Sequence, residues 1–180
     1  MDVIDRAFAK LHGLACWGVH WAPAAGLSFS FGEPSARIRE PMASGLPLLP
    51  GVQRTMSYRA VVVKGAWWFW SWCGLWELRL ADDERPISAR SATRRRAEGL
   101  RFLDGQRLLA AGVDPRDGCT ELLFDLGAAL RLWGDPYDPG RLDDDIWALH
   151  TPRGRVLLVR SDGCFSYDSG RSERRWRPRR

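Results

Sequence analysis

Lysine is nearly missing from this chain: of 27 Lys and Arg residues, only Lys10 and Lys64 are not arginine. A GC-rich genome produces that bias with no binding role, so the arginines by themselves name no partner. The four cysteines, Cys16, Cys73, Cys119 and Cys164, form no CxxC pair. The paired spacing of a zinc site is therefore lacking, and the thiols read as small buried side chains. Long apolar runs are lacking too. The richest stretch, AWWFWSWCGLW from Ala66 to Trp76, is about half of the ~20 residues that a membrane span needs. Asp2 and Asp5 stand where a signal peptide would be basic, and no apolar core follows them. These features predict a soluble, cytoplasmic protein with no membrane contact and no disulfide framework. GxGxxG, GxxxxGK[ST], HExxH and GxSxG do not occur, which leaves no positive argument for a catalytic class, a metal or a cofactor.

What is present is an ordinary globular composition. Hydrophobic residues make up 45% and charged residues 27% of 180, enough apolar material for one well-buried core. The formal net charge is +5, but positions 171–180 carry six Arg against one Glu, so the rest of the chain sums to zero. The sequence therefore divides into one globular domain over 1–168 and a basic tail over 169–180. The tail has no periodicity and is expected to be disordered.

Hydrophobic periodicity gives the elements. Asp2 caps a short amphipathic helix with Val3, Ile4, Ala7, Phe8 and Leu11 at helical spacing, stopped by Gly13. The period then changes to two, with Trp17, Val19 and Trp21, then Leu27, Phe29 and Phe31, then Ala36 and Ile38 each reading as a strand. Residues 42–51, with two Pro and two Gly, form a long irregular connection. Tyr58–Val63 and Trp67–Leu80 are strand-like, and Asp82–Pro86 reads as a polar turn. Ser91 opens a second helix that Asp104-Gly105 closes. Beyond it, hairpins follow one another through Asp117-Gly118, Leu126-Gly127, Arg153-Gly154 and Asp162-Gly163. The fold class expected is α+β and mainly antiparallel: a curved meander sheet of about nine or ten strands with two helices.

Several residue groups are candidates for chemistry. The chain holds ten tryptophans, five of them at Trp67, Trp68, Trp70, Trp72 and Trp76. On a strand, Trp68, Trp70 and Trp72 share one face, while Trp67, Phe69 and Ser71 share the other. One row suits the core. The other lies under the Arg-rich helix or tail, or forms a recognition surface, since Trp and Arg dominate interface energetics. A nucleobase-stacking platform would need interleaved cations, and only Lys64 is near. Asp143, Asp144 and Asp145 end an acidic, Pro-rich loop that begins at Asp135 and suits a basic partner or a solvated surface. Arg94, Arg95 and Arg96 on the second helix, with Arg174 and Arg175 in the tail, are the candidate phosphate contacts. Helical geometry spreads the first three over about 200°, which prevents one flat patch. Cys16 and His20, four apart, would share a strand face and are the nearest thing to a nucleophile–base pair.

The order of phrases resembles a family of small bacterial proteins. It is carried by LSFSFGEP at 27–34, IREP at 38–41, and the stretches 63–68, 93–108 and 147–167. Ala66 departs from the family phrase, which has Glu there, and the loop 42–51 and the Arg-rich tail have no counterpart. The resemblance supplies no catalytic residue or ligand set. In size and pattern such proteins look similar to immunity proteins of bacterial toxin systems, by analogy only. Together these features predict a non-enzymatic module that binds another protein, in the manner of an immunity or antitoxin partner. It would use Trp68, Trp70 and Trp72 with Asp143, Asp144 and Asp145. The alternatives are a nucleic-acid accessory protein using Arg94, Arg95, Arg96, Arg174 and Arg175, and an enzyme whose site the sequence does not reveal.

Overall fold

The computed structural model describes residues 2–23, 26–41, 54, 56–72, 75–135, 145–170 and 174–179, apart from the side chain of Glu84. The expected connection at 42–51, Cys73 and the loop residues 136–144 lie outside the described residues. Among the described residues two helices, α1 (Val3–Ala9) and α2 (Thr93–Leu103), accompany twelve antiparallel strands. Seven form one sheet in the order β1 (Cys16–Ala22), β2 (Gly26–Arg39), β3 (Ala60–Ser71), β9 (Asp145–His150), β10 (Arg155–Arg160), β11 (Cys164–Ser169) and β12 (Arg177–Pro178). Five form a second in the order β5 (Asp83–Ser88), β4 (Leu75–Leu80), β8 (Ala129–Trp133), β7 (Thr120–Phe124) and β6 (Leu108–Val113). The α+β, mainly antiparallel class holds, with the meander divided between two sheets.

The departures from the sequence pattern have local causes. Leu27–Phe31 and Ala36–Ile38 are one strand, β2, whose pairing with β3 slips between Phe31 and Pro34. A bulge is where a strand tolerates proline, which has no N–H to donate. Most of Asp82–Pro86, expected to be a polar turn, instead belongs to the edge strand β5, Asp83–Ser88. Arg85 and Pro86 are exposed there, while Ile87 is buried and anchors the strand. An edge accepts such a sequence because one side of its backbone needs no partner. The chain from Trp67 to Leu80 is two strands in different sheets, β3 ending at Ser71 and β4 starting at Leu75.

One continuous core joins the two sheets and α1. The inner row of β3 holds Trp67, Phe69 and Ser71, all buried. Phe69 stacks on Phe29 at 4.6 Å and on Trp147 at 5.3 Å between ring centroids, and Phe8 of α1 meets Trp147 edge-on at 5.6 Å. Buried polar groups tie the layers. The indole N–H of Trp147 donates to Thr120 Oγ1 at 2.7 Å, linking β9 of one sheet to β7 of the other. Within the larger sheet, Ser71 Oγ of β3 donates to the Ile146 carbonyl of β9 at 2.7 Å.

α1 is held at both ends. Asp2 and Asp5 form a reciprocal capping box, each carboxylate accepting the other's backbone N–H. Arg179 reaches both carboxylates, at 2.6 and 2.7 Å, and donates to the Val113 carbonyl of β6. Thus 174–179, expected within a disordered tail, contain β12 paired to β11 and a half-buried arginine that anchors the N-terminal helix.

Candidate functional site

Strand alternation dictates the site. With Trp67, Phe69 and Ser71 facing inward, Trp68, Trp70 and Trp72 must stand on the outer face of the larger sheet, where all three are half-buried. β2 places Ser30 opposite Trp68 and Ser28 opposite Trp70. These small side chains leave room for the indoles. On the other flank Trp68 pairs with His150 and Trp70 with Ala148 of β9.

The indoles stack along the strand as a ridge. Trp68 and Trp70 are 5.4 Å apart with planes at 16°, and Trp70 and Trp72 are 4.6 Å apart at 44°. The Lys64 ammonium lies 3.3 Å from the centre of the Trp68 ring, and the His150 ring packs on Trp68 at 4.7 Å. Both faces of Trp70 are therefore occupied by its neighbours, and Trp68 is closed by Lys64, Trp70 and His150. At Trp68 and Trp70 the ridge thus offers a partner apolar ring edges and not open faces on which a base could stack.

A groove of about 370 Å³ runs beside the ridge. Trp70 and Trp72 form one wall and His150, Val156 and Leu158 the floor, while Asp168 and Arg174 lie on the far side. Burial and the nearby Lys64 charge hold the His150 imidazole down to about 4, so the ring is neutral at pH 7. Burial also lowers the Lys64 ammonium, with Arg37 adding to the effect. Asp168 accepts the Arg175 N–H at 3.0 Å and the Ser166 hydroxyl at 2.8 Å, contacts that keep its carboxyl below the usual range.

The other candidates go elsewhere. Asp145 is 8% exposed and accepts from Arg174 at 2.6 Å, so it belongs to the interior and not to a surface. Asp143 and Asp144 lie outside the described residues. The three consecutive arginines diverge. Arg94 projects to solvent and pairs with Glu98 at 2.8 Å, whereas Arg95 pairs with Asp83 at 2.7 Å. Arg96 donates to the carbonyls of Ala89 and Ser91 and lies 4.0 Å over Trp21. Arg174 is bound to Asp145, and Arg175 is exposed.

Cys16 and His20 do not share a face. Cys16 pairs with Phe31 and His20 with Ser28, so β1 has one more residue than β2 between these pairs. Gly18, at φ 64°, sits in this bulge. The extra residue reverses the alternation, leaving Cys16 buried and His20 exposed. Burial pushes the Cys16 thiol far up, against nucleophilic use. The same bulge puts Trp17 beside Ser30 on the outer face and Trp21 opposite Leu27 on the inner one, although period two would align them.

No protein-family model, no curated protein and no solved structure matches the chain. The resemblance noted above thus rests on its own phrases, and function has to be argued from the site.

Proposed function

We propose that this protein is a non-enzymatic binding module whose recognition surface for another protein is the Trp68–Trp70–Trp72 ridge and the groove beside it. The observation that carries the reading is the ridge itself. Three stacked indoles stand half-exposed on a sheet face where the same strand already supplies the core with its other row. Aromatic edges on a rigid sheet suit a partner that buries apolar surface, and such anchors dominate protein interfaces. A neutral His150 with Asp168 and Arg174 gives the groove polar groups for orientation. The immunity-like role, covering another protein's active surface, is the form of binding this reading favours. Nucleic acid is the weaker reading, because Arg95, Arg96 and Arg174 are held in internal contacts and the faces of Trp68 and Trp70 are closed.

The test compares affinity purification from the producing cells with wild-type protein and with the Trp70→Ala/Trp72→Ala double variant, at low and high salt. The expected result is a stoichiometric protein retained by wild type at high salt and lost by the variant, while circular dichroism is unchanged. Equal capture by both forms, or nucleic acid as the only species captured, would overturn the proposal.

A further inference from the structure

A second groove, of about 700 Å³, opens between α1 and the ends of β10–β12. It shares only Asp168 with the tryptophan groove. Helical spacing places Val3, Arg6, Ala7 and Lys10 along one stripe of α1, and all four line the groove. From the sheet come Trp67, Tyr167, Arg155 and Arg177.

The bases of this groove are held by no ion pair, although the Arg177 charge acts on the Asp168 carboxylate of the same groove. Among the described residues, none of Arg6, Lys10, Arg155 and Arg177 forms an ion pair, and only Arg155 has a ring contact, over Tyr167 at 5.1 Å. The acids nearby are already engaged. Asp2 and Asp5 are held by Arg179, and Asp168 by Ser166 and the Arg175 N–H. Among the described lining residues, four bases stand against one occupied carboxylate, which makes this lining cationic. Elsewhere the chain pairs many of its arginines, as in Arg95–Asp83, Arg116–Asp114 and Arg160–Asp162. Four bases without an ion pair among the described residues converge on this cleft, two from the helical segment and two from the sheet.

We infer that the groove binds an acidic peptide segment of a partner protein, one that alternates carboxylate and apolar side chains. The charge asks for two or more carboxylates. The apolar lining of Val3, Ala7, Ala9 and Trp67 asks for hydrophobic side chains between them, which a phosphodiester backbone does not offer. The inference goes beyond the tryptophan ridge and does not depend on it.

The experiment is fluorescence anisotropy on the full chain with a fluorescein-labelled peptide of alternating Glu and Leu. A Lys–Leu peptide and an oligothymidylate of equal length serve as comparisons. The Glu–Leu peptide is expected to bind, and the Lys–Leu peptide not to. The charge reversals Arg6→Glu and Arg155→Glu should each weaken binding about tenfold or more. The milder Lys10→Gln should weaken it less, with thermal melting in all three within a few degrees of wild type. Trp70→Ala/Trp72→Ala should bind the peptide like wild type, which separates this site from the ridge. Peptide binding unchanged in Arg6→Glu/Arg155→Glu overturns the inference. Oligothymidylate binding tighter than the Glu–Leu peptide also overturns it, assigning the groove to nucleic acid.

Discussion

His150 is the residue whose surroundings most change its chemistry. Its neighbours in the fold are the Trp68 ring and Lys64 on β3, with Asp168 and Arg174 lining the same groove. Folded His150 stays neutral down to about 4, whereas the unfolded side chain takes a proton near its ordinary 6.5. Below 6.5 the unfolded chain therefore binds more protons, and stability falls as pH falls toward 4. The loss from this residue between about pH 7 and pH 5 should be on the order of 1 kcal/mol, after allowing for its partial exposure. His150→Phe keeps a ring on Trp68 and removes the titration. Urea unfolding at the two pH values should give a smaller pH-dependent loss in the variant; equal losses would mean that His150 is not held neutral. The tryptophans are the contrasting case at this scale. Their identity marks them as important, but only a neighbour list separates Trp67 in the core from Trp68 on the surface.

At the scale of the element, bulges decide which side chains meet. The bulge in β1 separates Cys16 from His20, and the one in β2 admits Pro34 to a long strand. Gly18 makes the first of these testable. A Cβ there would touch nothing within 4 Å, so any cost of substitution comes from its backbone at φ 64° and not from crowding. A β-branched residue is poorly suited to that conformation, while asparagine tolerates it. Gly18→Val should cost about 1–2 kcal/mol and Gly18→Asn less than half of that. Denaturant midpoints of the two variants check this, and equal midpoints would show that β1 does not rely on the left-handed backbone at this position.

For the whole molecule, the two ends of the chain are structurally one region. Arg179 joins the α1 capping box to β6, its side chain only 13% exposed. Arg179→Ala leaves Asp2 and Asp5 without their cation and should cost about 1–3 kcal/mol. Arg175→Ala, on an exposed side chain that retains its backbone donor to Asp168, should stay within about 0.5 kcal/mol. Chemical denaturation of both variants distinguishes an anchored C-terminal arm from a merely basic one. If the two are equal, Arg179 is not an anchor. The same arm supplies Arg174 and Arg177, so the two grooves on either side of it depend on where the chain end lies.

Much of this architecture was legible in the residues alone. Period-two alternation marked most strands, and Gly turns at 118, 127, 154 and 163 marked the hairpins, because side-chain direction and turn dihedrals are local properties. Asp2 announced its helix for the same reason. The sharing of one face by Trp68, Trp70 and Trp72 also followed from alternation. The choice between faces did not, since it depends on which row the second sheet covers, and that sheet is assembled from strands spread over 75–133. The bulge in β1 was hidden because one extra residue reverses alternation without changing composition. Nor could any local pattern foretell that Arg179 would return to Asp2, or that Arg6, Lys10, Arg155 and Arg177 would converge without an ion pair. Charges at long sequence separation acquire neighbours only through tertiary packing. The sequence by itself therefore determined the elements and the character of each strand face, and the tertiary structure decided which face and which charges were left for a partner.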